Sequence, residues 1–386
     1  MIKRRLEEKL TQLFKLFPIV SVTGPRQSGK TTLVKNTFKD LPYVSLENPD
    51  DRNFALGDPK GFLNNYPNGA IFDEVQRVPD LFSYLQGIVD ENKLAKYVLS
   101  GSQNFLLSEQ IGQSLAGRVG ILKLMPFSMT ELEDASLLSG SFEQVAVKGF
   151  YPRIFDQKIN PEDFYPSYVQ TYVERDVRQL SQVGNLNTFS TFLKLCAGRT
   201  GQLLNLSQLS NDCGIAVNTV KSWLNILESS YIVFRLYPHY KNYNKRLTKM
   251  PKLYFHDTGL LSYLLGIKEA AQIHIHFAKG AIFENLIITE LLKGFYHSGR
   301  ESSLYFWRDH KGREIDLLIE QADKLVPIEI KSGVTKSQDY FKNLNYWNGL
   351  SGNDPKSSYV VYAGSEDQQT KHGLLMSWKS FIHHEF

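Results

Sequence analysis

The sequence has few of the residues that build disulfide-stabilised or metal-stabilised small domains. Only two cysteines, Cys196 and Cys213, occur among 386 residues, too few for a disulfide framework or a cysteine-rich zinc site. The net charge is also small, at +4, so the charge balance permits a nucleic-acid partner without requiring one. These shortages exclude a small disulfide-rich secreted domain, and we expect a reducing, cytoplasmic environment.

Long apolar segments are missing as well. No run approaches the roughly 18 to 20 apolar residues of a membrane-spanning helix, so we expect no membrane partner. Residues 1–18 place apolar residues at helical spacing between charges, which predicts an amphipathic surface helix rather than a signal peptide. With 42% hydrophobic and 22% charged residues, the whole chain is expected to fold, as two or three domains.

A glycine-rich segment, GPRQSGKTT, follows a short β-branched run at residues 19–23 and precedes a helical pattern at residues 31–38. A glycine-rich loop between a strand and a helix directs several backbone N–H groups at a bound phosphate, and the helix dipole strengthens the attraction. We therefore expect this loop to bind nucleotide phosphates. The residues assigned to binding are Gly24, Pro25, Arg26, Gln27, Ser28, Gly29, Lys30, Thr31 and Thr32.

The loop and a second segment supply the groups that hydrolysis needs. Lys30 is expected to reach the β and γ phosphates, and the Thr31 hydroxyl to ligate Mg²⁺. The segment GAIFDEVQ places two acids after a short apolar strand at residues 70–72. Asp73 would hold Mg²⁺ through its water shell, and Glu74 would polarise the attacking water. Together the two segments predict a catalytic nucleoside triphosphatase.

Polar residues near the next two strands are candidates for supporting roles. The strand at residues 96–100 is followed by Ser102 and Gln103, which would sense the γ-phosphate or simply cap a helix. Arg118, which precedes a further strand, would act as an arginine finger on a neighbouring subunit or form a surface ion pair. Strands and helices alternate from residue 18 to about 130, which predicts a parallel sheet covered on both faces.

The middle of the chain has the spacing of two helices joined by a tight turn. A helix at residues 207–211 and another from Asn218 flank Gly214, and strands are expected at 231–236 and 252–255. Between these strands lies a basic segment without acids, whose cations are Lys241, Lys245, Arg246, Lys249 and Lys252. Such a segment beside a recognition helix favours DNA binding. Protein binding and a merely solvated surface are the alternatives.

Charged residues interrupt apolar strands near the C-terminus. In the segments REIDLLI and VPIEIKS, alternation along the strands places Glu314 with Asp316 on one face and Glu329 with Lys331 on one face of the partner strand. A preceding helix bears Glu284. Carboxylates and a lysine on adjacent strands can bind Mg²⁺ and orient a water for attack on a phosphodiester. A retained but inactive scaffold, with the same residues paired, is the alternative.

The order of these segments, together with the motifs SGSQ, AGRV, MPFSMTEL, YVERDV, PKLYFHDTGL and FEN, resembles the prokaryotic AAA-type ATPases that have a C-terminal domain of unknown function. The resemblance covers nearly the whole chain. It implies an ATPase core that uses ATP and Mg²⁺, a winged-helix segment, and a C-terminal fold similar to the PD-(D/E)xK nucleases. It also implies that Asp316, Glu329 and Lys331 are the catalytic residues of the nuclease part, with Glu284, Asp316 and Glu329 as metal ligands.

We therefore expect an α/β protein in three parts. These are a P-loop ATPase domain at residues 1–160, a helical and winged-helix segment at 161–268, and an α/β restriction-endonuclease-like domain at 269–386. The expected function is ATP binding and hydrolysis linked to DNA binding, with a nuclease domain that would use Mg²⁺. The alternative is a nucleotide-dependent switch or scaffold that binds protein partners or itself and has an inactive nuclease fold.

Overall fold

The computed structural model describes residues 2–102, 114–173, 186–240, 249–322, 324–384 and 386. Four residues that the sequence analysis singled out lie outside these ranges: Gln103, Lys241, Lys245 and Arg246. Most of the motif YVERDV lies outside them too.

The N-terminal part is a parallel β-sheet. Its described strands are β1 (Ile19–Thr23), β2 (Tyr43–Ser45), β3 (Ile71–Asp73), β4 (Tyr97–Gly101) and β5 (Val119–Lys123). They follow the order β2-β3-β4-β1-β5, and each neighbouring pair is parallel. The helices of this part are α1 (Leu6–Leu16), α2 (Lys30–Thr37), α3 (Pro49–Gly57), α4 (Pro59–Asn64) and α5 (Leu81–Glu91). The parallel sheet expected from the sequence is thus confirmed.

Side chains of each strand alternate between two apolar cores, one on each face of this sheet. Ile19 packs in a core with α3, α4 and α5, whereas its neighbour Val20 packs with α1 and α2. Because successive side chains of a strand point to opposite faces, a strand covered on both sides is buried throughout, as all five residues of β1 are. The ends of the strands are therefore the places where the sheet is open to a ligand.

Helices dominate the middle of the described chain. They are α6 (Met129–Asp134), α7 (Phe142–Lys148), α8 (Pro152–Asp156), α9 (Pro161–Tyr168), α10 (Leu186–Gly198), α11 (Leu206–Cys213) and α12 (Val217–Ser229). A π-helical turn, Val169–Val173, continues α9. Two antiparallel strands follow, β6 (Val233–Leu236) and β7 (Lys252–Phe255).

The predicted pair of helices is present. Helix α11 is longer than the expected residues 207–211, and α12 begins one residue before Asn218. Gly214 joins α11 to α12 in a left-handed conformation with φ 65°, which glycine adopts without strain. The prediction that a strand begins at residue 231 is wrong, because β6 begins only at Val233. Tyr231 has φ 56°, and the N–H groups of Tyr231 and Ile232 still bond to carbonyls of α12.

The C-terminal part is a mixed sheet. Its described strands are β8 (Leu304–Arg308), β9 (Glu314–Gln321), β10 (Lys324–Lys331), β11 (Tyr359–Tyr362), β12 (Gln368–Thr370) and β13 (Gly373–Ser377), in the order β12-β13-β11-β10-β9-β8. Its helices, with those that lead into it, are α13 (Thr258–Leu264), α14 (Ala270–Ile275), α15 (Lys279–His297), α16 (Lys342–Ser351) and α17 (Trp378–Phe381). The predicted hairpin is present as the antiparallel pair β9–β10.

Two helices cover the two faces of this sheet. Ile328 on β10 packs in the core that contains α15, whereas Leu318 on β9 packs with α16. The sheet and its helices confirm a mixed α/β architecture. The likeness of this part to nuclease folds stays a prediction.

Helix α15 also joins the C-terminal part to the N-terminal part. The Glu290 carboxylate accepts a hydrogen bond of 2.6 Å from Met129 N, and Lys293 Nζ donates one of 2.8 Å to Phe127 O. A single apolar core surrounds α15, and its residues come from chain positions between Phe127 and Phe381. The expected domain boundaries stay a prediction. Of the helices in the described ranges, none is both long and apolar enough to cross a bilayer.

Candidate functional site

The phosphate-binding loop lies at the carboxyl end of β1. Gly24 has φ 148°, and a Cβ at this position would lie 2.1 Å from Leu124 O, so the backbone can pass this point only as glycine. Gly29 has φ 93° directly before α2. The backbone therefore turns from strand to helix within the predicted segment, and the amino end of α2 faces the loop.

Lys30 is buried and folded back onto the loop. Its Nζ donates to Gly24 O at 3.0 Å and to Pro25 O at 2.8 Å. Ser28 Oγ is also buried and has no hydrogen-bond partner among the described residues. A buried hydroxyl without a partner is costly, so this atom fits a loop whose missing partner is a phosphate oxygen.

Three hydroxyl groups converge on the carboxylate of Asp73, at the end of β3. Thr31 Oγ1 and Tyr43 OH donate to Oδ2 at 2.6 and 2.9 Å, and Ser100 Oγ donates to Oδ1 at 2.5 Å. Burial, followed by the charge of Asp73, raises the pKa of Tyr43 well above its ordinary value, which keeps the phenol a proton donor. The structure thus brings the two predicted magnesium residues, Thr31 and Asp73, into direct contact.

Glu74 follows Asp73 in a left-handed backbone conformation with φ 55°. This conformation is strained for a residue with a Cβ, and such strain recurs at functional sites. The Glu74 carboxylate accepts hydrogen bonds from Gln76 Nε2 at 2.5 Å and from Ser102 Oγ at 3.2 Å. Its orientation beside Asp73 is therefore fixed by neighbouring side chains.

Strand β4 lies between β1 and β3, and this order brings the loop and the two acids together. In a parallel sheet the carboxyl ends of neighbouring strands meet at one edge, where ligands bind. Thr23 is in register with Gly101, and Asp73 is in register with Ser100. The loop, the acids and the polar end of β4 consequently line the same edge. Gln103, the other predicted residue of this strand end, lies outside the described residues.

Two cavities adjoin the loop. One, of about 370 Å³, is lined by Lys30, Thr31, Glu74 and Tyr172. The other, of about 380 Å³, lies between the N-terminal segment and α2. Both cavities are bordered by the same four residues, Gly29, Thr32, Pro152 and Asp156. Sequence reasoning missed the residues from α8 and the turn after α9, because they belong to no phosphate-binding motif.

Arg118 lies at the opposite edge of the sheet. Its neighbour Val119 is in register with Ile19, the first residue of β1, so about 16 Å of strand separates it from the loop. The guanidinium makes two hydrogen bonds of 2.7 Å to Asp90. Arg118 is therefore remote from the loop of its own chain, and its action on a neighbouring subunit stays a prediction.

In the C-terminal sheet, the predicted acids and lysine meet near the end of β10. Asp316 Oδ2 accepts hydrogen bonds from Lys331 Nζ at 3.2 Å and from Ile330 N at 2.8 Å. Lys331 also forms an ion pair with Glu329. Glu329 is only 1% exposed, and its Oε1 has no partner among the described residues. The three residues of the predicted nuclease site are therefore in mutual contact.

A second group of charges adjoins the first. Lys252, on β7, donates to Glu284 at 3.0 Å and forms an ion pair with Glu314, while Tyr254 OH donates to Glu284 at 2.5 Å. The assignment of Lys252 to an exposed DNA-contacting segment is wrong, because this residue is 2% exposed. Sequence reasoning missed the contact, since its partners are distant in the chain and share no motif. We call the whole set the carboxylate cluster: Glu284, Glu314, Asp316 and Glu329, with Lys252 and Lys331.

Burial raises the pKa of two acids in the carboxylate cluster. Burial and then repulsion from Asp316 raise the pKa of Glu329 to about 8, with Lys331 opposing the shift. Burial also raises the pKa of Glu284 to about 7, where Lys252 opposes and Asp316 adds to the effect. Burial therefore favours the neutral form of both acids, although the lysine beside each one favours the charged form.

The carboxylate cluster as arranged does not fit a metal ion. Within the described ranges, no group of three or more His, Cys, Asp or Glu side chains is placed to hold one. Carboxylate oxygens are suitable ligands for Mg²⁺, but the ammonium groups of Lys252 and Lys331 lie between them. The assignment of Glu284, Asp316 and Glu329 to Mg²⁺ stays a prediction. By contrast, Thr31 and Asp73 fit Mg²⁺, which commonly binds one or two protein oxygens together with phosphates.

Three family models match successive parts of the chain. A model described as an AAA domain matches residues 16–133. Models described as domains of unknown function, DUF8612 and DUF4143, match residues 139–271 and 279–381. Among solved structures, the Walker-type ATPase of Pyrococcus abyssi is 15% identical with a TM-score of 0.48, over 68% of this chain and 96% of that chain.

Two relatives span most of the chain. An uncharacterised protein of Methanocaldococcus jannaschii is 24% identical over 79% of this chain and 73% of its own length. An uncharacterised protein of Mycobacterium tuberculosis is 31% identical over 87% of this chain and 75% of its own length. With that identity over that length, the chain belongs to the same family as the mycobacterial protein, and its residues 16–133 match the model described as an AAA domain.

Proposed function

We propose that the protein binds and hydrolyses ATP at the loop of residues 24–32 and that DNA governs this activity. The observation that supports hydrolysis most strongly is the convergence of three hydroxyl groups on Asp73, with Glu74 held beside it. Binding alone would need neither a fixed second acid nor a strained backbone to present it.

ATP would use both cavities beside the loop. Its phosphates fit the cavity lined by Lys30 and Thr31, where the loop N–H groups and the Lys30 ammonium supply positive charge. Its purine fits the other cavity, whose lining includes Ile2, Arg4 and Phe127. Apolar walls with a few polar groups are typical of small-molecule sites of this size.

Hydrolysis would use the two acids in different roles. Thr31 and Asp73 would hold Mg²⁺, which neutralises the charge that develops on the phosphate oxygens. Glu74 would orient the attacking water and accept its proton. Its hydrogen bonds to Gln76 and Ser102 keep the carboxylate in one orientation, so little reorganisation would be needed during the reaction.

The proposed DNA contact rests on α12. Its buried face packs into the core through Val220, Trp223, Leu224 and Leu227. The residues of the opposite face are exposed and polar: Asn218, Lys221, Ser222 and Asn225. Asn and Ser contact base edges, and Lys contacts phosphates. The second helix of a helix-turn-helix is the one that enters the major groove, which supports a DNA-binding role for this face.

A second candidate is a nucleotide-dependent switch that binds proteins and does not cleave DNA. The observation that favours it is the pairing of the carboxylate cluster with its own lysines. Under this alternative, ATP turnover would not respond to DNA.

The experiment that separates the two is ATP turnover in Mg²⁺ with double-stranded, single-stranded and branched DNA, followed by recovery of the DNA on a gel. We expect DNA to stimulate ATP turnover by the wild type, and we expect Lys30→Ala to abolish ATP turnover. Turnover that no DNA changes, together with no gel shift at low salt, would contradict the proposal. Cleaved DNA that disappears on Asp316→Ala would extend the proposal to a nuclease.

Substitution on α12 tests the DNA contact separately. We expect Lys221→Ala to reduce the slope of log affinity against log salt concentration by about 1, as loss of one phosphate contact requires. Lys268→Ala is the matched control, because Lys268 is also exposed but lies outside α12. Equal slopes in wild type and Lys221→Ala would place the DNA elsewhere.

A further inference from the structure

Lys252 lies in the middle part of the chain, but its ammonium group pairs with acids of the C-terminal part. It is the first residue of β7, which pairs with β6 in the middle of the chain. Its ammonium group nevertheless lies 3.0 Å from Glu284 on α15 and in an ion pair with Glu314 on β9. A buried lysine is costly unless paired, and here the pairing partners are acids of the C-terminal sheet.

The carboxylate cluster holds more acids than cations. Four carboxylates face two lysines, and the half-exposed Arg308 adds one contact of 3.1 Å to Glu314 at the solvent edge. Glu329 Oε1 is buried and receives no hydrogen bond within the described part of the chain. A buried carboxylate oxygen without a donor is costly, and the raised pKa of Glu329 shows that a proton relieves this cost near neutral pH.

We propose that Lys252 is an intramolecular cation that keeps divalent metal out of the carboxylate cluster, so that the acids in contact with it do not bind Mg²⁺. An ammonium group in contact with Glu284 and Glu314 excludes a metal ion from the same oxygens by both volume and charge.

Lys252 is better suited to this role than Lys331. Lys331 lies on the same sheet as its partners Asp316 and Glu329, so its position relative to them is fixed by the strand pairing. Lys252 instead lies on β7, which pairs with β6 outside this sheet.

Mn²⁺ binding to the full chain without nucleotide tests this inference, with the metal followed by electron paramagnetic resonance. Asp73→Asn is present in every sample so that the phosphate-binding loop does not contribute. We expect Lys252→Met to bind one Mn²⁺ roughly tenfold or more tightly than the parent, because a positive charge leaves the carboxylates. Lys249→Met is the matched control and should behave as the parent. Adding Glu284→Gln to Lys252→Met should remove the new site, because Glu284 is one of the two acids that Lys252 contacts.

A second comparison remains informative if Lys252→Met does not fold. With Lys252 in place, Glu284→Gln should leave Mn²⁺ affinity unchanged, because Glu284 then faces a lysine and not a metal. Loss of a tight Mn²⁺ site on Glu284→Gln alone would overturn the inference, as would a folded Lys252→Met protein with unchanged affinity. The measurement uses no DNA, so a protein whose ATP turnover ignores DNA would refute the proposed function and leave this result standing.

Discussion

Thr31, Tyr43 and Ser100 all donate their hydroxyl protons to Asp73, which is only 5% exposed. Burial of a carboxylate is costly unless hydrogen bonds replace those of water. Hydroxyl donors meet this need without adding positive charge. The negative charge of Asp73 would therefore remain available to the magnesium ion of the proposed ATP site.

His256 provides a test of stability at the same scale. Burial, with smaller contributions from Lys293 and Lys123, lowers the pKa of this histidine to about 3, from an ordinary value of 6.5. Between pH 6.5 and 3, His256 is protonated in the unfolded chain but not in the folded chain. The free energy of unfolding therefore decreases as the pH falls through this range. The expected loss is about 1.4 kcal/mol per pH unit.

We predict that His256→Phe removes this pH dependence, because phenylalanine keeps the ring packing and has no proton to bind. Urea unfolding at several pH values between 4 and 6 measures the slope. His274→Phe is the control, since the His274 side chain is 71% exposed. A slope in His256→Phe as steep as in wild type would refute the prediction.

Short sequence motifs predicted the roles of Lys30, Thr31, Asp73 and Glu74, because each role depends on a few neighbouring residues. The position of Lys252 could not be predicted in this way. Its charge suggested a solvated segment, but its side chain reaches acids 32 and more residues away in the chain. Long side chains can place their charge in another element, and no local pattern records that.

At the scale of elements, the loop depends on a glycine that no other residue can replace. Gly24→Ala would place a Cβ 2.1 Å from a backbone oxygen at φ 148°. We predict a loss of more than about 2 kcal/mol in the free energy of unfolding and loss of nucleotide binding. Thermal unfolding and binding of a fluorescent ATP analogue measure both.

Gly87→Ala is the matched control for this substitution. Gly87 lies on α5, and a Cβ there would meet nothing within 4 Å. Alanine should therefore stabilise the helix by up to about 1 kcal/mol. Equal effects of the two substitutions would show that the loop geometry is not what the structure indicates.

Elements with strong local signals were predictable, and their ends were less so. Residues 19–23 and 252–255 are strands as expected, because β-branched or aromatic runs with clear breaks define them. The strand expected from residue 231 begins two residues later, since Tyr231 takes a positive φ that its residue type does not announce. Backbone conformations fixed by tertiary packing cannot be predicted from the type of one residue.

At the scale of the whole molecule, a buried arginine ties the loop to distant elements. Arg4 donates to Ser28 O at 2.7 Å, to Met125 O at 2.6 Å and to Glu131 Oε1 at 3.1 Å. His297, at the end of α15, lies 3.8 Å from the same Glu131 oxygen. The N-terminal segment and the phosphate-binding loop thus share one polar contact, and the end of α15 lies beside it.

We predict that Arg4→Met costs about 3 to 5 kcal/mol, because Glu131 is then left buried without its cation. Arg5→Met is a control on the adjacent residue, whose ion pair with Asp134 is about half exposed on both sides. Its loss should cost no more than about 1 kcal/mol. Denaturant unfolding measures both, and similar costs for the two variants would contradict the account.

Strand order belongs to this scale and was not predictable in detail. Alternating strands and helices indicated a parallel sheet, but nothing in the local sequence places β4 between β1 and β3. That placement follows from packing over the whole domain, and it is what brings Ser100 to Asp73.

The central claim is that Glu74 activates water for ATP hydrolysis at this loop. The most direct test is steady-state ATP turnover in Mg²⁺ by wild type and Glu74→Gln, with the exposed Glu91→Gln as control and binding of a non-hydrolysable analogue measured in parallel. We predict that Glu74→Gln lowers turnover by roughly 10²-fold or more while analogue affinity changes by less than about threefold. Turnover by Glu74→Gln close to that of wild type would contradict the claim.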